Sequence, residues 1–169
     1  MKKKIPALIK SGKVRLVYPV IVTKTIELYD TKKNLIRRRK SPKKGVAWDI
    51  FNELVFAPEL LTLKGLTIEI ILVDAIEHRK DDGKGSWRRK GISINDRILQ
   101  NRREGIILKK KSDWLHHFLP LKDECSSKTL ALAAKIGQIE AGKIIYTFAK
   151  AGFLEKTHKD GKFWVYRIT

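Results

Sequence analysis

Cysteine and methionine are almost absent from this chain, with one residue of each among 169. The single cysteine excludes a disulfide framework and a cysteine-rich zinc site. No apolar run approaches the roughly 20 residues that cross a bilayer. The basic start, MKKKIPALIKSGK, has no apolar stretch of signal-peptide length. We therefore expect a cytoplasmic protein with no membrane partner.

Acidic residues are also scarce. The chain has 18 Asp and Glu against 37 Lys and Arg, a net charge of +19. Its hydrophobic fraction of 43% is high enough to build a folded core, which argues against a disordered tail. A folded domain with this imbalance favours a polyanionic partner, and nucleic acid is the leading candidate.

The positive charge is concentrated in the first two thirds of the chain. Residues 1–111 have 28 basic and 12 acidic side chains, a net charge of +16, whereas residues 112–169 have 9 and 6, a net charge of +3. Two runs stand out, at residues 32–44 and 79–90, and a third is the Lys triplet at 109–111. Any one run can be a solvated face or a loop, but three together favour a phosphate-binding surface.

The two main runs supply most of the candidate nucleic-acid contacts. These are Arg37, Arg38, Arg39, Lys40, Lys43, Lys44, Lys84, Trp87, Arg88, Arg89 and Lys90. Trp87 admits two interpretations of equal weight. In the first, its ring stacks on a base among the cations. In the second, it packs inward and anchors the hairpin. If this segment is a strand, alternation puts Trp87 and Arg89 on one face.

Residue patterns before position 112 predict a mixture of strands and helices. A β-branched run at 13–29 and the following LIRRRK predict a hairpin. Helical spacing over 46–55 predicts a helix that Pro58 ends or bends. A long strand from Leu66 should pair across a Gly-rich turn with residues 85–94. Ser93 and Asp96 have the spacing of a capping box, which predicts a helix through residue 102.

The C-terminal residues have the most specific pattern. A short helix at 112–119, a helix capped by Ser127, a turn at Gly137, a helix over 138–151 and a β-hairpin follow in order. Residues 151–155, AGFLE, match the common exit from such a helix. This pattern resembles the winged-helix family of helix-turn-helix domains. We therefore expect an α+β chain, with a basic domain of hairpin, helix and strand at 1–111 and a winged helix at 112–169.

The winged-helix resemblance implies a second helix in the major groove and a hairpin on flanking phosphates. The residues that would then face DNA are Gln138, Glu140, Lys143, Tyr146 and Lys150 on the helix, and His158, Lys159 and Lys162 on the wing. This helix differs from recognition helices that bind DNA strongly, because it lacks Arg and because Glu140 would repel phosphate. A protein partner for this domain is the alternative.

The whole chain also resembles uncharacterised prokaryotic proteins that join a basic N-terminal domain to a winged helix. The strings that resemble them are RRRKSPKKG, DIFNELV and DDGKGSWRRKGISINDR. This resemblance implies that the two halves belong together and implies no activity.

Catalysis is the competing hypothesis. A magnesium-dependent nuclease of restriction-endonuclease type needs two or three carboxylates and a Lys near one strand. The candidates are Asp49, Glu53, Asp74 and Glu77, but Glu77-His78-Arg79 lacks the expected Lys. Phosphate-loop, dinucleotide-loop and nucleophile-elbow motifs are absent, and the acidic neighbours of Cys125 disfavour a thiolate.

The sequence therefore predicts a nucleic-acid-binding protein without a cofactor, with DNA favoured over RNA. The first alternative is the nuclease, which alone would need Mg²⁺. The second is an RNA-binding subunit of a ribonucleoprotein or defence complex.

Overall fold

The computed structural model of the chain describes residues 2–121 and 123–169. The chain divides into two compact units. The helical unit comprises the chain up to Tyr18, Trp48–Glu69 and Ile106–Thr169, and the sheet unit comprises Pro19–Ala47 and Ile70–Gly105. No helix among the described residues combines the length and apolar character needed to cross a membrane.

The fold is α+β, with five α-helices and eight strands in the described residues. The helices are α1 (Lys4–Ile9), α2 (Phe51–Leu54), α3 (Lys111–Phe118), α4 (Ser127–Ala134) and α5 (Gln138–Lys150). The strands are β1 (Val14–Tyr29), β2 (Leu35–Lys40), β3 (Leu66–Asp81), β4 (Ile92–Arg102), β5 (Ile106–Leu108), β6 (Glu124–Cys125), β7 (Leu154–Asp160) and β8 (Phe163–Ile168). Short 3-10 helices cover Ala47–Ile50, Pro58–Thr62 and Trp87–Arg89.

The strands form two sheets. One has the order β2-β1-β3-β4, with β5 also paired to β3, and the other has the order β6-β8-β7. The β-branched residues of β1 and β3 favour extended backbone. The predicted hairpin of β1 and β2 is confirmed, with Glu27 opposite Arg38 and Leu28 opposite Arg37.

The helix predicted through residue 102 is wrong, because Ile92–Arg102 is strand β4. This strand pairs antiparallel with β3, placing Arg97 opposite Glu77 and Ile98 opposite Ile76. Ser93 does not cap a helix, and its hydroxyl donates to Asp82 Oδ2 at 3.0 Å. Pairing with a long neighbouring strand overrides a local capping pattern, since each ladder bond adds to the preference for extended backbone.

The helix expected over residues 46–55 is present in a shorter form. A 3-10 helix at Ala47–Ile50 runs directly into α2. Pro58 then begins another 3-10 helix, where its missing N–H does no harm. These short turns bring Phe51 and Leu54 into the core of the helical unit, where each is only 1% exposed.

Aromatic side chains make up the centre of the helical unit. The ring of Phe51 contacts Phe118 at 5.1 Å, Phe148 at 5.4 Å and Trp114 at 6.2 Å between centroids, each edge to face. These residues come from α2, α3 and α5. Edge-to-face pairs add to the stabilisation that burial alone provides. The core therefore joins residues on both sides of position 111.

The C-terminal elements follow the predicted order. The N-cap of α4 is Ser126 rather than Ser127, and its hydroxyl accepts from Thr129 N. Gly137 precedes α5, whose inward residues include Ala141, Ile144 and Phe148. The two-residue strand β6 adds a third strand to the predicted C-terminal hairpin.

The division into units differs from a boundary at residue 111. The helical unit contains segments from before and after that position, because Phe51 packs on α3 and α5. Each of β1 and β3 contributes residues to both units. The helical unit is therefore built from three separate segments of the chain.

Candidate nucleic-acid interface

A buried carboxylate organises three cations on the sheet unit. Glu77, from β3, is fully buried. Arg79 donates to its Oε1 through Nε at 2.8 Å and Nη2 at 2.6 Å, while Lys24 Nζ and Arg97 Nε donate to Oε2 at 3.1 and 3.0 Å. We call these four residues the Glu77 cluster. Strand pairing explains it, since β4 places Arg97 directly opposite Glu77.

The Glu77 cluster has an excess of positive charge. Burial disfavours the ionised carboxylate, but hydrogen bonds from Arg79, Arg97 and Lys24 outweigh it and lower the pKa of Glu77 from 4.5 to about 2. Three cations around one carboxylate leave two positive charges. Arg97 keeps 54% of its side chain exposed. Glu77 therefore orders the guanidinium of Arg97, which remains exposed enough to contact a second anion.

The arginines of β2 divide between the two faces of the sheet. All six residues of this strand are exposed. Arg38 lies opposite Glu27, with Nε 3.3 Å from Oε1, whereas Arg37 and Arg39 project from the opposite face by strand alternation. Lys40, Lys43 and Lys44 are exposed as well. The run predicted as one phosphate surface therefore supplies cations to both faces.

A second acidic centre lies beside Arg38. Glu27 is 8% exposed and accepts a hydrogen bond from Tyr29 Oη at 2.7 Å. His78 Nε2 lies 3.2 Å from Glu27 Oε2, and its ring meets that of Tyr29 edge to face. Glu27 is therefore satisfied by its neighbours and restrains Arg38.

Trp87 is 90% exposed, so inward packing of this side chain is wrong. It lies in the turn between β3 and β4, which we call the Trp87 turn (residues 82–91). Lys84, Arg88 and Lys90 in the same turn are also exposed. The expected alternation of residues 87–90 is wrong too, because Trp87–Arg89 form a 3-10 helix rather than strand.

Hydrogen bonds hold the Trp87 turn in shape. Gly85 N donates to Gly91 O at 2.7 Å, and Lys90 N donates to Trp87 O at 2.9 Å. The side chain of Arg89 is half-buried and donates from Nε to Ile92 O at 3.2 Å. A side chain added at Gly85 would overlap the Ile92 carbonyl. An ordered backbone thus presents a large apolar ring to solvent.

The residues of the helical unit that were expected to face DNA divide into two groups. Gln138, Glu140, Tyr146 and Lys150 on α5 are exposed, and so are His158, Lys159 and Lys162 on the C-terminal hairpin. Lys143 is different. Its side chain donates to Asn52 Oδ1 at 2.6 Å, so it links α5 to α2 instead of projecting freely.

Four lysines surround a cavity of about 450 Å³ in the helical unit: Lys64, Lys109, Lys110 and Lys111. The Asp113 carboxylate accepts from the backbone N–H of Lys109 and Lys110, which lowers the pKa of Asp113 and caps α3. Lys111 donates to Thr169 Oγ1 at 2.7 Å. The basic triplet was visible in the sequence, whereas Lys64 was not associated with it.

The carboxylates of the nuclease alternative occur as pairs in different units. Asp49 and Glu53 belong to the helical unit, and Asp74 and Glu77 to the sheet unit. Asp74 accepts two hydrogen bonds from Arg103, at 2.8 and 3.1 Å, which hold its pKa below the ordinary range. Within residues 2–121 and 123–169, no group of three or more His, Cys, Asp and Glu side chains could hold a metal ion.

Cys125 is a buried thiol in β6. Burial raises its pKa to about 11, and the nearby Glu124 carboxylate adds to the effect. This agrees with the expectation that the acidic neighbourhood disfavours a thiolate.

Sequence reasoning missed several cations of these surfaces. Lys24 is 53 positions from Glu77, and no local pattern connects them. Arg97 was placed on a helix, and Arg103 was not considered. Sheet β2-β1-β3-β4 brings Lys24 and Arg97 to Glu77, and Arg103, directly after β4, reaches Asp74.

The chain belongs to the family described as Domain of unknown function (DUF8091), whose model matches residues 1–109. No curated protein and no solved structure matches the chain. The matched region includes all of the sheet unit and ends at the segment that leads into α3.

Proposed function

We propose that this protein binds nucleic acid, with the sheet unit binding phosphates and Trp87 stacking on a base. One observation carries the proposal. Trp87 is 90% exposed on a hydrogen-bonded turn that also presents Lys84, Arg88 and Lys90. An exposed indole among cations is the combination that holds single strands, since every base has a face to stack and every nucleotide has a phosphate.

The charge of the sheet unit supports this proposal. Its 65 residues contain 18 Lys and Arg against 8 Asp and Glu, a net charge of +10. Three of the eight acids, Glu27, Asp74 and Glu77, are hydrogen-bonded to neighbouring side chains that include Arg or Tyr. Exposed cations of this unit, such as Arg37, Arg39 and Lys84, can bind phosphates, whose counterions they would displace.

The arrangement of the C-terminal elements supports a winged helix over residues 112–169 as part of the proposal. Helix α3, strand β6, helices α4 and α5 and the β7–β8 hairpin follow in the order of that family, and the three strands form one antiparallel sheet. DNA is favoured over RNA on this resemblance. A protein partner on the same domain is the alternative.

The test is a titration of the full chain against a labelled 12-nucleotide single strand and a 12-base-pair duplex over a range of salt concentrations. We expect log–log slopes of about −0.7 per phosphate neutralised on the single strand and −0.9 on the duplex. Trp87→Ala should weaken single-strand binding by about 1–3 kcal/mol and leave the slope unchanged, because it removes a ring and no charge.

The matched control is Leu132→Ala, which removes an apolar side chain without a ring that is 71% exposed on α4 of the helical unit. It should leave binding unchanged. Absence of binding at low salt, or an affinity that does not depend on salt, would overturn the proposal. Equal losses of affinity in Trp87→Ala and Leu132→Ala would contradict the stacking role of Trp87.

A further inference from the structure

A groove of about 620 Å³ separates α5 from the β7–β8 hairpin of the helical unit. This volume is typical of sites that hold small ligands. The residues used below are Gly142, Tyr146, Lys150, Lys156, Lys162 and Trp164. No Asp or Glu occurs among the described residues that line the groove. It is therefore a positive cleft with aromatic walls.

Three lysines of this groove lie over aromatic rings. Lys156 Nζ lies 3.4 Å from the centroid of the Trp164 ring, and Lys150 Nζ lies 5.9 Å from that of Tyr146. Lys162 Nζ lies 5.5 Å from the ring of Phe163, another groove residue. Cation–π attraction holds ammonium groups in place over such rings. Trp164 is the more closely covered ring, because Lys156 and Lys159 lie 3.4 and 4.9 Å from its centroid, whereas Lys150 lies 5.9 Å from that of Tyr146. Tyr146, with 47% of its surface exposed, is therefore the ring more open to stacking.

The exposed face of α5 is poorly suited to a duplex major groove. The helix contains no Arg, the side chain that most often reads guanine. Lys143 donates to Asn52, and Glu140 in the first turn is negative. Ile139 on the exposed side is apolar and 74% exposed. The chemistry of the groove beside this face is better matched to unpaired bases than to base-pair edges.

We infer that the groove holds a short single-stranded segment of nucleic acid, with a base stacked on Tyr146 and phosphates on Lys150 and Lys156. Trp164 positions Lys156 without touching the strand. Gly142 has no side chain, which leaves space for the strand beside α5. A Cβ at this position would meet nothing within 4 Å. This inference rests on the proposed nucleic-acid binding and adds its substrate class and a second site.

An acidic peptide is the competing occupant, because it too would be attracted to lysines. Exposed aromatic rings favour a strand over a peptide of carboxylates, since stacking on a base adds affinity that a carboxylate does not supply. The two occupants differ in their dependence on the ring of Tyr146, and the experiment uses that difference.

The experiment measures the binding of the full chain to labelled dT12, U12 and a twelve-residue polyglutamate by fluorescence anisotropy. Tyr146→Ala should weaken binding to dT12, U12 or both by roughly 5- to 150-fold, with the salt slope unchanged. Tyr146→Phe keeps the ring and should retain wild-type affinity. Lys156→Ala should lower the salt slope by about 0.7. The dT12 and U12 arms show whether the strand is DNA or RNA.

Gly142→Leu is a second variant, which adds a side chain to the groove instead of removing one. Leu fills the groove and has a higher helix propensity than Gly, so the melting temperature should not fall. Binding to single strands should weaken by a factor similar to that of Tyr146→Ala. Leu132→Ala is again the control, because Leu132 is exposed and does not line this groove.

The outcomes separate this inference from the proposed function. Weaker binding in Tyr146→Ala and Gly142→Leu, with recovery in Tyr146→Phe, supports the groove. Unchanged binding in both variants overturns it and leaves the proposed function intact. Polyglutamate that binds as tightly as dT12 and is equally sensitive to Tyr146→Ala also overturns it. If the wild type binds no nucleic acid, the proposed function and this inference both fail.

Discussion

Glu77 is fully buried, and Lys24, Arg79 and Arg97 all donate hydrogen bonds to its carboxylate. Glu77→Gln should destabilise the fold by about 1–3 kcal/mol at pH 7. The variant leaves cations without their carboxylate, and their partial exposure keeps the loss below that of a fully buried pair. Urea denaturation measures the difference. Asp81→Asn, which removes an exposed carboxylate from the same strand, should change stability little.

The contribution of Glu77 should also depend on pH. Its pKa is about 2 in the folded chain and 4.5 ordinarily, so the folded state binds its proton less readily. The stabilisation is therefore fully present above pH 4.5 and is lost as pH falls through about 2. The stability of the wild type should fall more steeply than that of Glu77→Gln over this range. A difference between the two proteins that stays constant down to pH 2 would contradict the assignment.

The Trp87 turn is an element whose shape depends on one glycine. In Gly85→Ala the added methyl group would overlap the Ile92 carbonyl and lie 2.7 Å from Ser93 N. Since the backbone must move apart, we expect a loss of about 1–3 kcal/mol in stability. We also expect weaker single-strand binding, because Trp87 is no longer held. Thermal denaturation and anisotropy measure the two effects.

Gly142→Ala is the matched control for the effect of this substitution on stability. Its added methyl group meets nothing within 4 Å and lies in α5, where Ala is the better helix former. It should raise stability by up to about 1 kcal/mol. If Gly85→Ala is as stable as the wild type, the turn tolerates a side chain and does not restrain Trp87.

The whole chain should fold as a unit that cannot be cut at residue 111. A fragment of residues 1–111 keeps Phe51 but lacks Trp114, Phe118 and Phe148, the rings that cover it. We expect this fragment to lose the cooperative unfolding transition of the full chain and to bind a hydrophobic dye, because it exposes apolar surface. Cooperative unfolding of the fragment at full-chain stability would instead make the family-matched region, residues 1–109, a self-sufficient domain.

Local pattern was a good guide where neighbouring residues alone decide the conformation. The β-branched runs of β1 and β3 and the turn between β1 and β2 were predictable, because side-chain shape favours extended backbone and turn residues interrupt it. The same reasoning failed at Ser93. There a capping pattern and a strand pattern overlap, and the partner strand that decides between them is distant along the chain.

The amino-acid order and composition were sufficient for the basic character of the protein, its α+β class, the order of its C-terminal elements and the cationic run that contains Trp87. These properties follow from local propensity and from charges that are present whatever the fold. Only the tertiary structure decided that Glu77 holds Lys24 and Arg97, that Lys143 is tied to Asn52 and that Trp87 is exposed. Each depends on residues brought together by strand pairing or helix packing over tens of positions, and short-range pattern has no information about such contacts.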